Sequence, residues 1–419
     1  MPISDGIQDR RSTGRWLGRL ALLVVSLLIT LSFLELGLRM AGYGAIYDLY
    51  SKPSIFWQHD DLLGWSHEPG ATGTYIGPRP WPIEYHTPIS INRLGVRGPD
   101  PDPFPEDGYR ILMVGDSLVA AFEVAYRDTF VARLGTSLNK RFPFPVQTVN
   151  MGVRGYGTDQ SYLSYRDRLR KLQPDMVVMF HSFNDPENNV TLHRMRRPFG
   201  KAALSPQADG TLAPRGYPIP LYPLCSSWVL GPEFEPTRMD TPFTRATCWA
   251  QVGLADHSAL FTWMTMRIRR NPDLLRRLYG LGDVANHIVP LPGSPRVAGL
   301  GGLLLAAGAA EDSPTDAPDR WALTESILHA FQREVVADGA QFVLIIRRAH
   351  WKRMMGLQAD GILARFVEMT GPMSGETAMR YIRFRNDAHL NETGHEIMAR
   401  MLEEVIAPLI SNDPAAEAS

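Results

Sequence analysis

The stretch ILMVGDSLVAAF, residues 111–122, joins an apolar run to a glycine, an acid and a lone hydroxyl. A short apolar run is typical of a strand that is buried on both faces of a parallel sheet. Ser117 stands where the predicted strand ends and a helix begins, and two interpretations of it are open. Serine is a common helix N-cap. A serine at a helix N-terminus can also be a nucleophile, because unpaired backbone N–H groups there stabilise an oxyanion.

Apolar runs and helical patterns alternate along most of the chain after residue 109. Strands are predicted at 110–115, 146–151, 176–180 and 341–346, and helices at 118–140, 158–172, 321–338 and 392–410. This alternation is typical of a parallel sheet between two helical layers, so the predicted fold class is α/β. Ligands on such sheets bind beyond the carboxyl ends of the strands, and Ser117 falls at that edge.

The composition of the 419 residues is that of an ordinary globular protein, with 44% hydrophobic and 21% charged residues. A net charge of -1 gives no electrostatic reason to expect binding to nucleic acid. Cys225 and Cys248 do not have the spacing of metal ligands. Whether they form a disulfide stays open, because that depends on an oxidising compartment. We expect no metal and no organic cofactor.

The N-terminal region has the pattern of a membrane anchor. Four arginines come first: Arg10, Arg11, Arg15 and Arg19. They precede the apolar run 20–38, which has about the ~20 residues that a spanning helix needs and a single charge, Glu35. The positive-inside rule then predicts a cytoplasmic tail over 1–19, a transmembrane anchor over 20–40 and a periplasmic or extracellular remainder. A cleaved signal peptide is the alternative, although no small-x-small site follows the run.

The remaining segments complete the predicted organisation. Residues 41–108 are rich in proline, glycine and aromatic residues, which predicts a loop-rich, partly β juxtamembrane segment. Residues 109–410 form the predicted α/β domain, which residues 190–318 interrupt as a long insertion. Residues 258–280 of that insertion are predicted to be helical. Residues 411–419 are predicted to be a disordered tail.

The other strand ends carry residues that suit serine chemistry. The glycine-rich segment 150–160 follows the second strand, HSFND (181–185) follows the third, and NDAHLNETGH (386–395) precedes the last helix. A serine nucleophile needs a base, a group that orients the base, and donors for the oxyanion. We therefore predict a catalytic site from residues at these ends.

The predicted roles are as follows. Ser117 is the nucleophile, His389 is the general base, and Asp387 holds the imidazole in one tautomer. The backbone N–H groups of Ser117 and Gly155, with the side-chain amide of Asn184, form the oxyanion hole. His181, Asp116, Asp185 and His395 are interpreted as structural, with a catalytic role for His181 as the alternative.

Together these blocks resemble the SGNH (GDSL-type) hydrolases. The resemblance rests on GDS at 115–117, Gly155 in NMGVRG, Asn184 in FND and His389 in DAHLN. It covers residues 109–190 and 320–410, and it leaves the insertion outside the family core. It implies a flavodoxin-like three-layer α/β/α fold and the hydrolysis or transfer of acyl esters. It also implies that the family's serine, glycine, asparagine and histidine are the four residues named above.

Two positions depart from the family pattern. The family usually has its aspartate three residues before the histidine, and that position is Asn386 here. Asp387, two residues before, or a backbone carbonyl then orients His389. The asparagine block often begins with glycine, where this chain has Ser182. Asn184 itself is retained.

These observations predict a serine esterase that cleaves an acyl ester, foremost an O-acetyl ester, of an envelope or extracellular glycan or lipid. An O-acyltransferase acting on a cell-surface polysaccharide would share the first half-reaction. A non-catalytic envelope scaffold that keeps the fold is the third hypothesis, and the displaced aspartate favours it. A membrane anchor joined to such a domain also resembles envelope-facing bacterial members of the family.

Overall fold

The computed structural model describes most of the α/β domain and parts of the segments around it. The described residues are 5–44, 56–77, 83–191, 201–208, 210–217, 219, 254, 257–269, 281–284, 287–290, 319–346, 354, 356–359, 361–366 and 375–411. Cys225, Cys248, most of the predicted insertion and residues 412–419 lie outside them.

The chain begins with a long helix and two hairpins. Helix α1 spans Asp5–Met40, and its segment Trp16–Met40 is long and apolar enough to cross a membrane, with none of it buried. Strands β1 (Trp57–Asp60) and β2 (Gly64–His67) pair antiparallel, as do β3 (Thr72–Gly77) and β4 (Tyr85–Ser90). The long apolar helix is compatible with a membrane anchor or a signal sequence.

The hairpins are packed into the core through aromatic side chains. Trp57 and Trp65 are only 2% and 0% exposed. Trp57 stacks on Phe122 with ring centroids 5.6 Å apart, and Trp65 lies edge-on to Tyr156. Both tryptophans therefore stabilise the fold.

The α/β domain follows in strand and helix order. Its first part comprises β5 (Tyr109–Gly115), α2 (Ser117–Ala120), α3 (Phe130–Arg141), β6 (Val146–Gly152), α4 (Thr158–Asp167), β7 (Met176–His181) and α5 (Asp185–Val190). Between residues 201 and 290 lie β8 (Ala203–Pro206), β9 (Leu212–Arg215), α6 (Ala259–Arg269), β10 (Leu281–Val284) and β11 (His287–Pro290). Its last part comprises α7 (Arg320–Ala337), β12 (Gln341–Ile346), α8 (Gly356–Ala359), β13 (Leu363–Phe366), α9 (Gly375–Ile382) and α10 (Glu392–Ser411).

The central sheet has five parallel strands in the order β13-β12-β7-β5-β6. Numbered along the chain from β5, the strands lie in the order 2-1-3-4-5 when read from the β6 edge, which is the flavodoxin-like order. Alternate residues of β5 face opposite layers. Ile111 and Met113 pack with α3 and α10, whereas Leu112 and Val114 pack with α4, α7 and the hairpins. The predicted three-layer α/β/α fold is confirmed.

Two predicted helices are shorter than their sequence pattern indicates. Residues 118–140 are mostly helical, as predicted, but the helix is interrupted, because α2 ends at Ala120 and Ala121 adopts a left-handed backbone conformation with φ 51°. A new helix, α3, begins after Thr129, whose hydroxyl accepts from the N–H of Ala132. Likewise α4 ends at Asp167, and a separate 3₁₀ turn covers Leu169–Leu172.

Helix α6 of the insertion is attached to α1 through Glu35, the one charge of the apolar run 20–38. The backbone N–H groups of Ala259 and Leu260 donate to the Glu35 carboxylate over 2.9 and 2.8 Å. The Ser258 hydroxyl also donates to it, and Arg39 forms an ion pair with it. The carboxylate thus caps the N-terminus of α6, where negative charge is favoured.

Candidate active site

Ser117 is the first residue of α2, directly after the turn that ends β5. The N-cap of α2 is Asp116, whose Oδ1 accepts from the N–H of Leu118 over 2.9 Å. The serine hydroxyl is therefore not needed to cap the helix. Its side chain is partly exposed at the carboxyl edge of the sheet.

Strand β6 holds the turn that carries Ser117. The Asn150 side-chain amide donates to the carbonyl of Val119 over 2.7 Å. A Cβ on Gly152 would collide with the backbone nitrogen of Ala120 and with Val119. A glycine at 152 therefore allows α2 to lie directly against β6.

His389 reaches Ser117 from the loop between α9 and α10. Its Nε2 lies 2.8 Å from the Ser117 Oγ. The base of this loop is closed by a bridge between Arg383 and Leu390 and by the Asn391 side-chain amide, which donates to the Tyr381 carbonyl. The loop thus places the imidazole beside the hydroxyl from a position 272 residues away in sequence.

Asp387 lies on the far side of the imidazole. Its Oδ1 is 2.5 Å from the His389 Nδ1, and its Oδ2 accepts from the Tyr85 hydroxyl over 2.8 Å. Burial alone would raise the pKa of Asp387, but the hydrogen bond and charge of His389 outweigh it and hold that pKa well below its usual range. The carboxylate is therefore ionised at neutral pH, and we assign the imidazole hydrogen to Nδ1, which leaves Nε2 to accept from Ser117.

The unusual position of this aspartate has a structural explanation. The backbone N–H and the side-chain amide of Asn386 both donate to the Glu84 carboxylate, the former over 2.9 Å. The N–H of Arg385 donates to the same carboxylate over 2.8 Å. Asn386 thus anchors the loop to the segment that enters β4, and the next residue faces the histidine.

The residues predicted for the oxyanion hole lie on either side of Ser117. Strand β5 lies between β6 and β7 in the sheet, Gly155 follows β6, and Asn184 follows β7. Gly155 has φ 87°, a conformation that favours glycine. Asn184 is the N-cap residue of α5 and is partly exposed. Among the described residues, no protein group accepts a hydrogen bond from the backbone N–H of Ser117 or Gly155.

Two charged residues near the imidazole were not among the predicted site residues. Glu123 Oε1 lies 3.4 Å from the His389 Nδ1, and Glu123 forms a buried ion pair with Arg154. The signal in the sequence is the single acid of VAAFEVA, residues 119–125, within the segment predicted to be mostly helical. The break at Ala121 is what turns Glu123 towards the site.

Arg97 fixes the turn that carries Glu123. Its guanidinium donates to the carbonyls of Ala120, Ala121 and Val124, and the side chain is fully buried. These three hydrogen bonds hold the turn that follows α2 in place. Burial lowers the pKa of Arg97 to about 10, so it is still charged at neutral pH.

His181, Asp116, Asp185 and His395 are buried among other polar groups. The Asp185 carboxylate accepts from the N–H of Ser182 over 3.1 Å and lies 3.3 Å from the His181 Nδ1. Burial, with the nearby charge of Asp185, raises the pKa of Asp116. The His395 Nδ1 accepts from the N–H of Phe130, and burial lowers the pKa of His395 to about 3. These contacts fit structural roles.

One group in the described part of the chain has the spacing of a metal site. Ligand atoms of Glu123, Asp387 and His389 all lie within 4.8 Å of one another. The donor set is already engaged, because Arg154 pairs with Glu123 and the His389 Nδ1 bonds to Asp387. We therefore interpret the group as a hydrogen-bonded network around the imidazole.

Neither a protein-family model nor a curated protein matches this sequence. The chain is similar to solved structures at low identity. A GDSL-like lipase from Bacteroides thetaiotaomicron is 12% identical with a TM-score of 0.30, over 73% of this chain and 91% of that one. A variant of an acetyl xylan esterase from Geobacillus stearothermophilus is 13% identical with a TM-score of 0.33, over 71% and 94%. An α/β hydrolase from a Lake Arreo metagenome is 13% identical with a TM-score of 0.33, over 72% and 96%. We assign the fold from the strand order of the sheet and not from these similarities.

Proposed function

We propose that this protein is a serine esterase that cleaves acyl esters through an acyl-enzyme. The observation that carries the proposal is a pair of short contacts on the two sides of the imidazole. The Ser117 Oγ lies 2.8 Å from the His389 Nε2, and the His389 Nδ1 lies 2.5 Å from the Asp387 Oδ1. A hydroxyl, a base and an orienting carboxylate in this order are what a serine nucleophile requires.

The reaction proceeds in two halves. The Ser117 Oγ attacks the ester carbonyl carbon while His389 takes the hydroxyl proton at Nε2. The bond to the alcohol oxygen then breaks, and His389 returns that proton to the departing alcohol. Water attacks the acyl-enzyme with His389 again as the base, and the acid is released with Ser117 restored.

The tetrahedral intermediates need donors for their negative oxygen. The backbone N–H groups of Ser117 and Gly155 and the Asn184 side chain supply them in this proposal. Donors that are already in place in a site of low dielectric cost no reorganisation during the reaction. A loss of one such donor typically lowers the rate about 10²- to 10³-fold.

The test is ester hydrolysis by the full chain in detergent micelles with p-nitrophenyl acetate. We expect Ser117→Ala to lose at least ~10³-fold in kcat/KM. Ser137→Ala is the matched control, because its hydroxyl bonds to Glu403 on α10, away from the site. Near-normal turnover by Ser117→Ala would refute the assignment of the nucleophile.

The same assay separates the other candidate functions. Acetate release to water supports an esterase, whereas release that depends on an added glycan acceptor identifies an O-acyltransferase. No release under either condition leaves a non-catalytic scaffold. For the substrate we propose an O-acetylated glycan or a lipid of the cell envelope.

The location of the substrate follows from the topology that we propose. Helix α1 is an uncleaved anchor, the basic tail is cytoplasmic, and the α/β domain is periplasmic or extracellular. The arginines before the apolar run support this orientation. An alkaline phosphatase fusion after residue 45 should be active, and an inactive fusion would reverse the orientation.

A further inference from the structure

A second carboxylate, Glu123, faces the imidazole at the nitrogen that bonds to Asp387. Its Oε1 is 3.4 Å from the His389 Nδ1, against 2.5 Å for Asp387. The Glu123 side chain is only 1% exposed, and its Oε2 has no hydrogen-bond partner among the described residues. A buried carboxylate with an unpaired oxygen destabilises the folded state, so its presence calls for a function.

Glu123 cannot easily turn away from His389. Its backbone carbonyl accepts from the Thr87 hydroxyl over 2.9 Å, and Arg97 holds the carbonyls on both sides of it. Its carboxylate pairs with Arg154, whose side chain is also largely buried. The charge of Glu123 is therefore held at a set distance from the ring.

We propose that Glu123 is a positioning residue for His389. With Asp387 it keeps the ring hydrogen on Nδ1 and stabilises the imidazolium that forms when Ser117 loses its proton. Arg154 opposes it, because a second positive charge beside the ring disfavours the imidazolium. The ion pair thus sets the basicity of His389. This inference rests on the proposed function.

Other charged or titratable groups also face His389. They are Asp387 in its own loop, Arg154 after β6, Tyr85 on β4 behind Asp387, Asp116 at the start of α2 and His395 on α10. Burial alone would lower the pKa of His389. The charge of Glu123 is the largest of the influences that oppose burial, and the net direction for that pKa is upward.

The test measures the titration midpoint of His389 by NMR on the full chain in detergent, with 13C-labelled histidine and His389→Gln for assignment. Glu123→Gln keeps the size of the side chain and removes its charge, so the imidazolium loses a partner. We expect the midpoint to fall by about one pH unit. Arg154→Met removes the opposing charge, and the midpoint should rise. The midpoint on the acidic side of the pH profile of kcat/KM should likewise fall in Glu123→Gln and rise in Arg154→Met.

Asp60→Asn is the matched control. Asp60 is another buried carboxylate paired with an arginine, Arg168, but its partners are away from His389. Its substitution should leave the midpoint of His389 unchanged. An unchanged or higher midpoint in Glu123→Gln would overturn the inference. Should that variant not fold, Arg154→Met decides, since a midpoint that does not rise overturns the inference as well.

The titration does not depend on turnover, so the two proposals fail separately. If Glu123→Gln shifts the midpoint but the wild-type chain has no esterase activity, the proposed function is refuted and the electrostatic coupling between Glu123 and His389 still stands. Esterase activity with an unchanged midpoint would refute the role of Glu123 alone.

Discussion

Asn386 and Asp387 show how a neighbouring segment decides which of two adjacent residues faces the histidine. Glu84 binds the backbone and side chain of Asn386, and Tyr85 donates to Asp387. The displaced aspartate therefore gives no support to a non-catalytic scaffold, because its carboxylate still lies 2.5 Å from the His389 Nδ1. The segment that enters β4 is part of the site for this reason.

We predict that Asn386→Asp lowers activity, although it restores the residue that the family usually has. The new carboxylate would face Glu84 and would lose the amide hydrogens that Asn386 donates to it. The loss of a hydrogen bond to a charged group typically costs about 1.5–3 kcal/mol. The check is kcat/KM for p-nitrophenyl acetate, with thermal melting of the same samples.

The control for that prediction is Asn386→Asp combined with Glu84→Gln, which removes the repulsion and should recover most of the loss. A second double variant combines Asn386→Asp with Asp387→Asn. If Asn386→Asp restored the activity that Asp387→Asn removes, residue 386 and not residue 387 would be the position that orients His389.

At the scale of elements, the nucleophile depends on close contact between α2 and β6. The Cβ of an alanine at 152 would meet the backbone of α2 itself, and backbone cannot move aside as a flexible side chain can. Overpacking of this kind typically costs about 1–3 kcal/mol. The position of Ser117 thus depends on Gly152, a glycine further along the chain.

We predict that Gly152→Ala reduces kcat at least tenfold, because about 1 Å of displacement at a reacting group can cost about 10²-fold. Gly356→Ala is the matched control, since an added Cβ there would meet no atom within 4 Å. Steady-state kinetics and thermal melting of both variants provide the measurement. Equal activity in the two variants would mean that α2 does not rest on β6 as described.

At the scale of the whole molecule, Glu35 connects the N-terminal helix to the insertion. Its carboxylate receives two backbone N–H groups and a hydroxyl from the start of α6. A charge that would be costly in an apolar span is thereby satisfied within the protein. The insertion and α1 are consequently held together.

We predict that Glu35→Ala loosens the start of α6, because loss of a cap costs about 1 kcal/mol. Hydrogen exchange of residues 257–264, measured on the full chain in detergent, should become faster. Thr30→Ala is the control, since the Thr30 hydroxyl donates to the Ser26 carbonyl of its own helix. Unchanged exchange in Glu35→Ala would show that the capping contact does not hold α6.

The sequence by itself determined the fold class, because periodicity and strand length are local properties that each segment carries. The β5 run, the glycine-rich segment after β6 and the NDAHLN block each signal a strand end or a turn without reference to the rest of the chain. Only the tertiary structure decided which atoms meet. The left-handed turn at Ala121 depends on Arg97, and the partner of His389 depends on Glu84 and Tyr85. Contacts between residues so far apart in sequence leave no periodic trace, since their energy depends on packing that exists only in the folded chain.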